Sequence, residues 1–151
     1  MKQHSTAQHF IGSKIVIAIA MTRLAYNEYR GWTLPADENG ADDGYLVEYT
    51  DGGQSNHPDH AGYISWSPKA QFDAGYLPLG KIDGMPAHQQ RVIAEKAQLD
   101  EKLAKLGAAL NGTLKGKVSA SEFSLLCEQE RVMREYSEIL RRRIANFESA
   151  R

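Results

Sequence analysis

The 151-residue sequence has a single cysteine, which excludes an intrachain disulfide framework. The one thiol, Cys127, stands beside Leu125 and Leu126, so the pattern predicts a small core residue and not a reactive group. No apolar run approaches the roughly 20 residues that cross a membrane. The run at residues 15–21 is not followed by a cleavage site typical of a secretory signal, and it predicts a buried strand. These absences favour a reducing cytoplasm and no membrane partner.

The sequence also lacks the motifs by which common catalytic sites are recognised. It has no glycine-rich phosphate loop, no triad spacing and no paired-carboxylate pattern. We therefore expect a protein that is not an enzyme and uses no cofactor. His57, Asp59 and His60 form one short cluster that superficially suits a metal, but further ligands are missing. A solvated loop is the favoured interpretation, and no metal site is predicted.

An excess of charge of one sign is lacking as well, since 18 basic residues nearly balance 19 acidic ones. Residues 1–80 hold five basic against nine acidic residues, net −4, and residues 81–151 hold thirteen against ten, net +3. The densest basic point, residues 141–143, is typical of a solvated helix end that complements the helix dipole. A phosphate-contacting patch is the alternative. A protein that binds duplex nucleic acid would usually be more basic, so none is predicted as a partner.

Residues 14–79 predict a small α+β domain with an antiparallel sheet, after a flexible arm at residues 1–13. Strands are expected at residues 14–20, 44–49 and 62–66, and short helices at residues 23–29 and 68–73. The apolar run of the first strand suggests cover on both faces. Thr22 is the expected cap of the first helix, with Leu24 facing the core. The second helix should begin with Ser67 as its cap and Pro68 at its first position.

After a linker at residues 80–86, residues 87–151 predict an antiparallel helical hairpin. The first helix spans residues 88–110, and a capping box at Ser119 and Glu122 opens the second. Two apolar columns run along the second helix with a spacing of seven residues: Leu126, Met133, Leu140 and Phe147, and beside them Leu125, Val132 and Ile139. Two helices bury too little apolar surface to be stable alone. We therefore expect homo-oligomers formed through the hairpin. Substitution of Leu140 by Asp should disrupt assembly or folding, since it buries an unpaired charge.

Aromatic and basic side chains gather around the predicted sheet, and they are the best candidate for a binding site. A nucleobase needs a π-surface and a phosphate needs a fork of donors, and these residue types supply both. The predicted ligand-binding residues are Arg23, Tyr26, Arg30, Trp32, Trp66 and Lys69, with Tyr45 and Tyr63 nearby. The alternative is that the rings only close a small core. The binding site would fail if Trp66 were buried and both arginines paired with the acidic loop at residues 37–43.

Four segments resemble a module of uncharacterised tailed-phage proteins, over roughly residues 12–79. They read RLAYNEYRGW at 23–32, LPADEN at 34–39, GYLVEY at 44–49 and GYISWSPK at 62–69. That module often precedes domains similar to Thoeris anti-defence proteins, which sequester immune signalling nucleotides. After residue 80 the sequence departs from this arrangement: QQRVIAEKAQLDEKLAKL at 89–106 and YSEIL at 136–140 resemble another phage module of unknown role. No functional residues transfer from either module.

The resemblance implies a phage-encoded, non-catalytic counter-defence protein in the cytoplasm of the infected bacterial host. Its ligand would be a small phosphorylated nucleotide signal, such as a cyclic nucleotide or an ADP-ribose derivative, which it binds and sequesters. The alternative function is an interaction protein that inhibits a host defence protein by direct binding, through the hairpin or the acidic loop at residues 37–43. A binder should show a concave pocket with aromatic and basic side chains, and an inhibitor of this kind a flat or convex patch.

Overall fold

The computed structural model describes residues 6–149 and confirms the predicted α+β class. In chain order the elements are β1 (Val16–Ala20), α1 (Arg23–Tyr29), β2 (Gly44–Tyr49), β3 (Tyr63–Pro68), α2 (Lys69–Gly75), α3 (Ala87–Asn111) and α4 (Ala120–Ser149). They divide into an N-terminal unit, Met1–Tyr76, and a C-terminal unit, Leu77–Arg151. Part of the predicted flexible arm, residues 1–5, lies outside the described residues, and residues 6–13 are exposed without regular structure.

The N-terminal unit is built on a three-stranded antiparallel sheet in the order β1, β2, β3. Its central strand carries two adjacent buried side chains, Leu46 and Val47. Adjacent strand residues point to opposite faces, so both faces of β2 are covered. On one face Leu46 packs with Tyr26 of α1 and Ile64 of β3. This cluster fixes α1 against the sheet and positions the cleft described below.

The expectation that the first strand is buried is wrong. β1 starts at Val16 and forms an edge of the sheet, and the side chains of Ile17 and Ile19 are about half exposed. An edge strand pairs with one neighbouring strand, so fewer residues of the sheet surround it and cover its faces. Length and hydrophobicity of a run do not distinguish an edge strand from a central one.

Two expectations about the short helices are also wrong, although the cap on α1 is confirmed. Thr22 Oγ1 accepts a hydrogen bond from the backbone N–H of Ala25 at 3.2 Å. Leu24, however, is exposed, and Tyr26 is the residue that α1 buries in the core. Helix α2 begins one residue later than predicted, after Pro68, and no side chain caps it. Strand pairing of β3 with β2 continues through Pro68, which delays the start of the helix.

Helices α3 and α4 of the C-terminal unit run antiparallel. Glu95 of α3 accepts a hydrogen bond from Tyr136 of α4, whereas Gly107 farther along α3 lies near Glu130. The predicted cap on α4 is confirmed, because Ser119 Oγ accepts a bond from the N–H of Glu122 at 3.1 Å. Among residues 6–149, no helix is both long and apolar enough to cross a membrane.

Only one of the two apolar columns on α4 faces α3. Leu140 is 0% exposed, and the other members of its column, Leu126, Met133 and Phe147, are half-buried. The second column is exposed, and so is Cys127, so the prediction that the thiol is a core residue is wrong. Successive residues of a helix lie about 100° apart, which carries Cys127 away from the seam that Leu126 joins. Leu140 packs within one chain and is not available for assembly.

Candidate functional site

An open cleft of about 690 Å³ lies on the N-terminal unit, in the size range of sites for small ligands. Its walls come from α1 and the turn after it, from β3, and from the connection between β2 and β3. Five of the six predicted ligand-binding residues line it: Arg23, Tyr26, Arg30, Trp32 and Trp66. We call it the aromatic cleft.

Arg30 and Trp32 form the polar and aromatic centre of this cleft. Gly31 between them has φ of +70°, a left-handed conformation that favours glycine and turns the chain back at the end of α1. The guanidinium of Arg30 consequently lies over the Trp32 ring, 4.2 Å from its centroid. The backbone N–H of Trp32 donates to the carbonyl of Asn27 at 2.8 Å, which fixes the turn.

The charge of Arg30 is held in place by neutral groups. Its Nη1 donates to the hydroxyl of Tyr26 at 3.1 Å, and its Nη2 donates to the carbonyl of Asn56 at 3.4 Å. Within the described part of the chain, no carboxylate forms an ion pair with it. Arg30 therefore presents a preorganised positive charge that an anionic ligand can neutralise.

Trp32 supplies exposed aromatic surface beside this charge. It is 53% exposed even though Arg30 covers part of its ring. Successive residues of a strand alternate faces, so the ring of Tyr63 lies on the other face of the sheet, beside Tyr49 with centroids 6.4 Å apart. The ring of Tyr26 packs edge-on against Trp32, with centroids 6.1 Å apart, and this contact holds the indole in position. A planar group that enters the cleft thus finds a stacking partner next to a cation.

Arg23 lines the same cleft, but its charge is already compensated. Its guanidinium lies 4.4 Å from the centroid of the Trp66 ring and forms ion pairs with Asp42 at 3.2 Å and Glu38 at 3.4 Å. Trp66 is half-buried, and its Nε1 donates to the carbonyl of Met21 at 2.8 Å. The pairing of arginine with the acidic loop, which would defeat the predicted site, occurs at Arg23 and not at Arg30.

The structure does not bring Lys69 to the aromatic cleft. Its ammonium bonds to Asp73 at 2.7 Å and to the hydroxyl of Tyr45 at 3.2 Å, and these bonds raise its pKa above the usual range. Lys69 lines a separate cavity of about 350 Å³ on the other side of β2. The backbone N–H of Lys69, at the start of α2, donates to the carbonyl of Asp43 at 3.0 Å, so this N–H is not free to bind an anion.

Asn56 is a cleft residue that sequence reasoning missed. Its side-chain amide pairs with the backbone of Ile64 in both directions, donating to the carbonyl at 2.9 Å and accepting from the N–H at 2.7 Å. This pair ties the loop between β2 and β3 to the sheet, so the Asn56 carbonyl reaches Arg30. An asparagine in a polar loop carries no signal of such a role.

The two histidines of that loop bind other side chains. Nδ1 of the His60 ring forms a hydrogen bond with Glu48 at 3.0 Å, and its Nε2 forms one with the hydroxyl of Tyr29 at 2.8 Å. His57 stacks on Tyr29. The bonds from His60 and from the N–H of Gly62 lower the pKa of Glu48. Among residues 6–149, no three side chains of the types that bind metals cluster as a site. The loop is therefore held to the rest of the unit by its two histidines as well as by Asn56.

The comparisons with known proteins point to the other unit. Residues 86–146 match the family model named Sequestin, and this stretch contains α3 and nearly all of α4. The C-terminal unit is thus similar to Sequestin, whereas the aromatic cleft lies outside the matched residues. Searches of curated proteins and of solved structures found no match.

Proposed function

We propose that the protein is a phage-encoded counter-defence protein that binds a small nucleotide immune signal and sequesters it, in the cytoplasm of the infected bacterial host. The match of residues 86–146 to Sequestin carries this proposal, because the name of that family denotes sequestration. The resemblance of the N-terminal segments to the leader of Thoeris anti-defence proteins supports the viral source and the nucleotide.

The aromatic cleft offers the chemistry that a nucleotide requires. Its phosphate would pair with Arg30, which no described carboxylate neutralises. Its base would stack on Trp32, whose ring is exposed. Glu38 and Asp42 repel a phosphate from the Arg23 end, so they favour one orientation of the ligand.

Binding without chemical change fits the groups that line the cleft. Among the described residues there, Glu38 is the only carboxylate, and its ion pair with Arg23 occupies it. The remaining polar side chains, such as Asn27 and Asn56, donate and accept hydrogen bonds but are poor acids and bases. Tight stoichiometric binding is sufficient to remove a signal.

A thermal-shift screen of the full chain against cyclic dinucleotides and ADP-ribose isomers tests this function. A ligand at a hundred times its dissociation constant should stabilise the protein by roughly 2.7 kcal/mol. Arg30→Gln and Trp32→Leu should weaken that ligand at least about tenfold, because each removes one of its two partners. Arg131→Gln, which removes an exposed arginine paired with Glu135, is the matched control and should bind like the wild type.

Each other outcome of the screen rejects one part of the proposal. Unchanged affinity in Arg30→Gln and Trp32→Leu would reject the aromatic cleft as the binding site. The absence of a shift with every nucleotide would reject the nucleotide itself. In that case inhibition of a host defence protein by direct binding becomes the better hypothesis.

A further inference from the structure

One side of α4 is apolar, exposed and regularly spaced. Leu125, Val132 and Ile139 recur every seven residues and are 57%, 48% and 44% exposed. Tyr136 lies between the last two and is also exposed. We call these four residues the outer face of α4. Monomeric proteins seldom expose a contiguous apolar stripe of this kind without a partner for it.

Apart from the hydroxyl of Tyr136, which donates to Glu95, the hairpin itself does not use the outer face. The seam with α3 is formed by the neighbouring column, in which Leu140 is fully buried. A seven-residue spacing keeps an apolar column on one side of a helix, which is what packing against a second helix requires. Two such columns on α4 therefore provide for two neighbours, of which α3 is one.

The charges along α4 favour a particular neighbour. Residues 120–133 carry three glutamates and one arginine, net −2, and residues 134–147 carry four arginines and two glutamates, net +2. A second copy of α4 laid antiparallel places each acidic half against a basic half. A parallel copy would place like charges together, which is unfavourable.

We infer that a second copy of this chain covers the outer face, with the two α4 helices antiparallel and crossing near Val132. In this arrangement Leu125 of one protomer faces Ile139 of the other, because both lie seven residues from Val132. Glu122 of one then lies near Arg143 of the other, because both stand in the same column of the helix as Tyr136. The inference does not depend on the ligand or on the aromatic cleft.

Light scattering and sedimentation of the full chain test the assembly. A single helix–helix seam is small beside the ~800 Å² per partner of a standard interface, so a dissociation constant in the micromolar range is expected. Val132→Glu should raise it by at least about a hundredfold, because it places two like charges at the crossing point. Cys127→Glu, a charge at an exposed position on another side of α4, should leave the dimer intact.

Cross-linking tests the orientation. Leu125→Cys and Ile139→Cys are made separately in a Cys127→Ser background, given different tags, mixed and treated with a short bis-maleimide. The antiparallel arrangement predicts cross-links between the two variants and few within either one. A parallel pair would give cross-links within each variant and overturn the orientation.

A wild-type chain that stays monomeric at about 100 µM would overturn the interface. Equal weakening of the dimer by Val132→Glu and Cys127→Glu would overturn it as well.

Discussion

The two units of the molecule differ in how their structure is encoded. In the C-terminal unit, two helices meet along a periodic apolar seam that buries Leu140. In the N-terminal unit, the cleft depends on single hydrogen bonds between distant residues, such as Arg30 with Asn56 and Trp66 with Met21. The family match lies in the C-terminal unit, and the candidate binding groups lie in the N-terminal unit. A periodic seam tolerates changes of similar residues, whereas a site of individual contacts does not.

The composition lets the two units be measured separately. Both tryptophans, Trp32 and Trp66, belong to the N-terminal unit, so tryptophan emission reports on that unit. The long helices α3 and α4 dominate far-UV circular dichroism. A variant that destabilises one unit should therefore change the signal of that unit and leave the other signal unchanged.

The largest effect is expected from Leu140→Asp. It buries an unpaired charge in the α3–α4 seam, where Leu140 is 0% exposed, and should cost roughly 4 kcal/mol. Helical dichroism should fall while tryptophan emission stays close to that of the wild type. Ile139→Asp, one residue away on the exposed column, should keep the helices and affect only assembly. Equal loss of helix in both variants would show that the seam is misplaced.

Gly44→Ala should have the next largest effect, and this effect should be confined to tryptophan emission. A Cβ at this position would lie 2.3 Å from the Trp66 ring and 2.4 Å from the carbonyl oxygen of Ser67, so the sheet must shift. We expect a loss of about 3 kcal/mol, with altered tryptophan emission and unchanged helical dichroism. Gly75→Ala, where a Cβ meets nothing within 4 Å, is the control and should be nearly neutral.

The smallest effect is a pH dependence of the N-terminal unit. The bonds from His60 and Gly62 lower the pKa of Glu48 below its unfolded value of 4.5. The stabilisation is therefore complete above pH 4.5 and is lost as the pH falls through the lowered folded pKa. Urea unfolding followed by tryptophan emission between about pH 6 and pH 3 should show this loss. In Glu48→Gln the same titration should be flatter, and an identical slope would argue against the Glu48 contribution.

Much of the fold could be predicted from the sequence, because local patterns determine it. The limits of α1 and β2 and the cap at Ser119 follow from periodicity and capping chemistry. The pattern did not show which apolar column of α4 faces α3, since Leu140 and Ile139 carry equivalent signals. It also did not show that β1 is an edge strand. Both depend on the position of a neighbouring element, which no local pattern contains.

The candidate site was predictable in composition and less so in geometry. Arg30 and Trp32 come together because the one residue between them, Gly31, adopts a left-handed conformation that turns the chain. Lys69 is absent from the cleft because its ammonium bonds to Tyr45 and Asp73 on the other face of the sheet. Asn56 enters the cleft only through its pairing with Ile64, a contact between residues eight apart that composition does not reveal.

Recovery of the bound ligand tests the central claim, sequestration without chemistry, most directly. The full chain is incubated with the nucleotide that gives the largest thermal shift, separated from free ligand by rapid filtration and then heat-denatured. The account predicts that the released nucleotide is chemically unchanged and is recovered in a fixed ratio to the protein, and that Arg30→Gln retains much less of it. Release of a cleaved product, or turnover of more nucleotide than there are binding sites, would contradict it.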